Sequence, residues 1–243
     1  MKKLILAAFV VALFSVPGFA QGKKLVVAMD TTFPPMELVN DNKEIVGFDV
    51  DLMNEISKLA GFPVEFKSVS WDGIFAGIDS GAYDIIASSV TITDERQKTK
   101  DFSEPYLNAG QVLVLLADNN KDTKLSDFVG RNVGAQVNTT GSMEVDKIKG
   151  AKLKAYDDIA LSFDDLINKR VEAVVIDGPV ASLYLQNPKF KGKIKVVGEP
   201  MTSENYGIVV KKGNKALLDK INAALTTLKK NGKLDELKAK WLK

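Results

Sequence analysis

The sequence predicts an α/β protein of two lobes, each a mostly parallel sheet covered by helices. Short β-branched apolar runs alternate with stretches of helical spacing, the signature of a parallel sheet with crossover helices. The alternation starts again after Leu116. Length agrees: once an N-terminal leader is set aside, about 220 residues remain, more than one core of ordinary size holds.

The leader comes first. Lys2 and Lys3 precede an apolar run from Leu4 to Val16, and Pro17, Gly18 and Ala20 supply a small-residue cleavage site, as in a secretory signal peptide. A membrane anchor is the alternative, but the run is about 13 residues where a spanning helix needs roughly 20. The expectation is export, cleavage after Ala20 and a soluble mature chain in a bacterial periplasm.

Lys24 to Met29 then reads as a strand with Asp30 at its C-terminal end, and Thr31-Thr32-Phe33-Pro34-Pro35 forces an extended connection. Phe48 to Ala60 carries Leu52, Met53, Ile56 and Leu59 at helical spacing and stops at Gly61. Val64 to Val69 reads as strand, Trp71 to Asp79 as helix and Asp84 to Ser88 as a buried strand. After the strand Gly110 to Leu116, the segments Leu125 to Phe128, Asn132 to Gln136, Ser162 to Asn168 and Ala173 to Ile176 open a second α/β unit. Tyr206 to Val210 reads as a strand. An amphipathic helix with Leu217, Ile221, Leu225 and Leu228 follows, then a last helix with Leu234, Leu237 and Trp241, their apolar residues read as core contacts.

Composition excludes several chemistries. The chain has no histidine and no cysteine, so the commonest transition-metal ligands, the commonest base near neutral pH and every disulfide are missing. No metal or other cofactor is expected. Basic and acidic residues balance, 33 against 31, and no basic stripe with interleaved aromatics suggests nucleic acid.

In open parallel sheets ligands bind outside the carboxyl ends of strands, and the polar candidates fall there. Ser88 to Arg96 runs from a buried strand into a helix, with Thr93 as N-cap. Arg96 can grip a carboxylate through two parallel hydrogen bonds, or it is a surface ion-pair residue. Gln136 to Ser142 offers hydroxyls and backbone N–H groups to an anion, or is a turn and cap. Asp177 ends an apolar run before Gly178-Pro179 and is a helix cap or an exposed anion.

Six ordered stretches, VVAMDTTFPPMEL, IVGFDVDLMNEI, SWDGIFAGIDSGAYDIIASSVTITDERQKTKDFSEPY, VGAQVNTTGS, VEAVVIDGPVA and YGIVVKKG, span the mature chain. Together they resemble the periplasmic solute-binding proteins of the polar amino-acid ABC transporter family. The resemblance implies the type II binding-protein fold, with helices on both sheet faces and a two-strand hinge. Residues 21–109 with 206–243 would form one discontinuous lobe and residues 110–205 the other. It implies that Arg96, Thr91 and the Thr140 backbone hold a ligand α-carboxylate, and that Asp177, Ser89 and Thr91 hold its α-ammonium. Phe33 and Trp71 would wall the side chain, Asp30, Ser88 and Gln136 would face its distal end, and Thr139 would belong to the same loop site. Asn138 stands where such proteins often carry glycine, so the loop is expected to use asparagine's tolerance of a left-handed conformation. The implied partners are a small amino acid and a membrane permease, the protein itself being a monomer.

Asp30 beside two aromatic rings suits a guanidinium or ammonium, so arginine or lysine is expected, with glutamine next because an aspartate also accepts an amide N–H. Two rivals share this fold: a dehydratase acting on small carboxylic acids, and the sensing module of a membrane receptor. The zwitterion partners favour binding without chemistry, and the absence of a second hydrophobic segment before Lys243 favours a free-standing module.

Overall fold

The computed structural model describes residues 23–242; the expected leader over residues 1–20 lies outside them. Two five-stranded sheets organise the chain. The first has the order Val64–Ser68, Leu25–Met29, Ile85–Ile86, Val209–Lys211, Lys100–Phe102. The second has the order Lys152–Tyr156, Asn132–Gln136, Ala173–Asp177, Gln111–Leu116, Ile194–Val197. Each places three parallel strands side by side, then one reversed strand, then an edge strand antiparallel to that one. In the second sheet the reversed strand comes first in sequence. In the first sheet it arrives from residues 209–211, after the chain has built the second.

Two short strands carry the crossings. Leu107–Ala109 pairs antiparallel with Glu204–Tyr206, with Ala109 opposite Glu204 and Leu107 opposite Tyr206. Gly110 follows at once, and a Cβ there would lie 2.1 Å from the Thr202 carbonyl oxygen. Only glycine lets the two crossings approach so closely.

The strand starting at Leu25 and the helix Phe48–Ala60 form where the pattern predicts them. That helix ends at Gly61 in a left-handed conformation, φ 70°, and buries Leu52, Met53 and Ile56 against the helix Lys215–Lys230. Three expectations need correction. The helix expected from Trp71 begins at Ile74, because Gly73 turns left-handed (φ 87°) just before it. The expected strand Asp84 to Ser88 shortens to Ile85–Ile86, since Ser88 and Ser89 leave the ladder to face the cleft. The expected strand Tyr206 to Val210 is two, Glu204–Tyr206 in the crossing and Val209–Lys211 in the first sheet. Gly207 divides them, packed so near Ile92 that a Cβ would lie 2.9 Å from its side chain. Leu125–Phe128 is a short 3-10 turn. The sequence reading missed the antiparallel hairpin elements Thr32–Phe33, Glu37–Val39 and Ile45–Val46, too short for periodicity to register.

Candidate functional site

The carboxyl ends of both sets of parallel strands face one cleft, which encloses about 330 Å³ and is lined by the eleven residues singled out above: Asp30, Phe33, Trp71, Ser88, Ser89, Thr91, Arg96, Gln136, Thr139, Thr140 and Asp177. The structure brings all of them together.

Arg96 sits in the helix Asp94–Thr99, whose N-cap Thr93 accepts from the Arg96 backbone N–H at 3.2 Å. Its guanidinium donates to the Thr91 carbonyl at 2.9 Å and to the Asn138 carbonyl at 3.3 Å. It lies 5.5 Å from the Trp71 ring and 5.2 Å from Phe75, an aromatic clamp that suits a weakly hydrated cation. Among the described residues no carboxylate forms an ion pair with it, so the surface-pair alternative does not describe its place. Burial lowers its pKa to about 10, partly offset by Glu204 and Asp177. The result is a desolvated cation with donor capacity to spare.

Asp177 ends the strand Ala173–Asp177 but makes no side-chain cap to the following helix. Its Oδ1 instead accepts from the Tyr206 hydroxyl at 2.6 Å. Burial raises its pKa to about 6, with Glu204 adding to the rise and hydrogen bonds from Tyr206 and Gln111 offsetting only part of it. Arg96 and Asp177 therefore present opposite charges to one small space.

The part of the cleft around Asp30 is assembled differently. Asp30 Oδ1 accepts from the Thr32 N–H at 3.1 Å and its hydroxyl at 2.8 Å, and Oδ2 accepts from Gln136 Nε2 at 2.7 Å. Gln136 also donates to the Asp157 carbonyl at 2.9 Å, so it joins the two sheets. Ser88 Oγ accepts the Asp30 N–H at 2.9 Å. Phe33 and Trp71 are nearly buried walls.

The loop after Gln136 divides into cap and site. Thr139 caps the next helix, accepting from the Ser142 N–H at 3.2 Å while donating to the Gln136 carbonyl at 2.7 Å, so its hydroxyl has already given its one proton. Asn138 is left-handed at φ 55°, as its residue type allowed, and its side chain donates to Asp72 at 3.1 Å.

Several residues were missed by the sequence reading. Glu204 accepts from Thr91 at 2.8 Å and Thr140 at 2.7 Å on one oxygen and from Thr202 at 2.7 Å on the other. It stands at the crossing between the sheets. Gln111 donates to Thr140 at 3.1 Å, and Tyr206, Phe75, Glu37 and Asp49 support the lining from behind. Glu204 carried no readable signal: it lies among polar residues, two positions before the YGIVV stretch. Among the described residues no cluster of acids forms a metal site.

The family model for bacterial extracellular solute-binding proteins, family 3, matches residues 25–243. The chain belongs to that family. Among its relatives is a probable histidine-binding protein of Neisseria gonorrhoeae, 36% identical over 229 residues that cover 93% of this chain and 85% of the relative. The ABC transporter arginine-binding protein 1 of Escherichia coli K12 is 32% identical over 248 residues, covering 99% of each. An ancestral arginine-binding protein solved with arginine superposes with a TM-score of 0.87 at 41% identity, covering 92% of this chain and all of the other. This solute-binding protein thus has the two-lobed type II fold expected from its motifs, with the cleft between its sheets.

Proposed function

We propose that this chain captures one polar L-amino acid, basic ones first, and presents it to the membrane permease of an ABC importer. The observation that carries the reading is the meeting of Arg96 and Asp177 in one cavity from opposite sheets. A zwitterion satisfies both. Its carboxylate takes the free donors of Arg96 with Thr91 and the Thr140 N–H, and its ammonium takes Asp177 with Ser89 and Thr91. Trp71 and Phe33 flank the side chain, and Asp30, Ser88 and Gln136 receive its far end, a set that favours arginine or lysine and leaves glutamine next. The arginine and histidine named for the relatives support a basic ligand.

In this reading the lobes span residues 21–109 with 206–243 and residues 110–205, and the ligand favours the closed form by touching both at once. The protein works in the periplasm as a monomer after cleavage near Ala20. It binds without chemistry, because the charged groups of the cleft are engaged by the two ends of the ligand.

Thermal-shift screening of the twenty amino acids tests it: a bound ligand at about a hundred times Kd adds about 2.7 kcal/mol of stability. Arginine or lysine is expected to give the largest shift; a flat response to all twenty overturns the reading. Incubation with prephenate or arogenate is expected to leave both unchanged.

A further inference from the structure

Behind the cleft two carboxyl groups are fully buried with, among the described residues, no cation acting on them. Glu37 lies on the strand Glu37–Val39 and Asp49 is the second residue of the helix Phe48–Ala60. The Asp49 N–H donates to the Met36 carbonyl at 3.0 Å, which brings the start of the helix against the residue preceding Glu37. Asp49 Oδ2 accepts three bonds, from the Ser89 N–H at 2.6 Å, the Ser89 hydroxyl at 3.2 Å and the Tyr106 hydroxyl at 3.0 Å. Glu37 Oε1 accepts from the Ser88 hydroxyl at 2.8 Å.

The two remaining oxygens, Glu37 Oε2 and Asp49 Oδ1, are buried and have no partner, although the two carboxyl groups are within hydrogen-bonding reach. Two anions so placed would repel in a medium of low dielectric and would leave both acceptors bare. One proton between Oε2 and Oδ1 satisfies both. Asp49, with three donors, is the better anion; Glu37, with one, is the better acid. We propose that Glu37 and Asp49 share a single proton, Glu37 as acid and Asp49 as anion, and that this pair positions Ser88 and Ser89 in the cleft.

The consequence for the site is geometric. Because Glu37 Oε1 takes the Ser88 proton, a Ser88 lone pair is left for the Asp30 N–H. Asp49 holds Ser89 in a left-handed conformation, φ 48°, which serine adopts rarely. The groups acting most strongly on the pair are each other, Asp30, Tyr106 and the two serines, with none basic among them. Burial first, then Asp49, pushes Glu37 well above its ordinary 4.5. A carboxyl raised in this way stabilises the fold while protonated, and that contribution is lost as pH rises above 4.5 and through the folded value.

The Glu37→Gln variant keeps the bonds without the titration, since its amide N–H replaces the acid proton toward Asp49. Infrared spectra of the full chain at about pH 8 are expected to show a protonated-carboxyl C=O band that vanishes in Glu37→Gln, far above where a free carboxyl ionises. The wild-type Tm is expected to fall relative to Glu37→Gln as pH rises above 4.5, the ordinary value from which Glu37 is raised. The positioning half rests on the proposed function and is read with arginine by calorimetry. Glu37→Gln should stay within about threefold of wild type, while Glu37→Ala and Asp49→Asn should lose about tenfold or more. A band that is missing in wild type or persists in Glu37→Gln overturns the shared proton, and equal affinity loss in Glu37→Gln and Glu37→Ala overturns the positioning role. Should Asp49→Asn fail to fold, the two Glu37 variants still decide. If wild type binds none of the twenty amino acids, the proposed function and the positioning role fail together, and the band and the Tm comparison still decide the proton.

Discussion

Two strands deliver an aspartate to the cleft from opposite lobes, Asp30 just past Met29 and Asp177 at the end of Ala173–Asp177, and they are provided for in opposite ways. Asp30 has three hydrogen bonds from its own loop and from Gln136. Asp177 has the Tyr206 hydroxyl at 2.6 Å and a weaker contribution from Gln111, and its burial outweighs both. A carboxylate met by neutral donors is stable alone, whereas one left short of donors is held ready for a cation. The difference separates an acid whose charge is already met by neutral donors, and which also ties the lobes together through Gln136, from one whose charge is met less fully.

Five predictions test that contrast. Replacing the cation that faces Asp177 should have the largest effect: Arg96→Ala is expected to cost about 4 kcal/mol of arginine affinity, roughly a thousandfold, by leaving a ligand carboxylate desolvated and unpaired. Calorimetry reads it, and a loss under tenfold would remove Arg96 from the site.

Asp177→Asn should cost about 3 kcal/mol by the same reasoning. Asp177 also predicts a pH dependence. In the proposed function its ionised form holds the ammonium, and its pKa is raised to about 6, so affinity should be complete above about pH 7 and fall by up to tenfold per unit below about pH 6. The Asn variant should lack the part of this fall that Asp177 contributes.

Asp30→Asn should cost arginine about 2 kcal/mol and glutamine under about 0.5 kcal/mol, since only a cationic head uses the charge. Equal losses for the two ligands would sink the charge argument for Asp30. The smallest effect belongs to Glu204→Gln. The amide keeps one acceptor oxygen for the threonine hydroxyls that meet at the crossing, so about 1 kcal/mol is expected in arginine binding, with little change in Tm.

Much of this site was legible because strand ends are legible. Asp30, Gln136 and Asp177 each stand at the C-terminal end of a strand, and Thr93 and Thr139 cap the helices that follow the site loops. Arg96 was ambiguous by spacing, and only its placement over Trp71 and Phe75 removes the surface-pair alternative. Glu37 and Asp49 were not legible as a pair. Asp49 reads as an ordinary acid in a helix's first turn, favoured there by the helix dipole, and Glu37 sits in a strand of three residues. Their one shared sign is that each is flanked by apolar residues, Met36 and Leu38 about Glu37 and Phe48 and Val50 about Asp49.

The sequence by itself determined the alternation of strands and helices, the strand-end positions of the polar residues and, through six ordered motifs, the family. These are local or patterned properties, set by side-chain period, turn residues and caps. Tertiary structure alone decided that the reversed strand of the first sheet comes from residues 209–211, that Glu204 meets threonines from distant segments, and that Glu37 and Asp49 face each other without a cation. Those facts depend on which distant segments exclude water together, and no property of the residues taken singly carries that information.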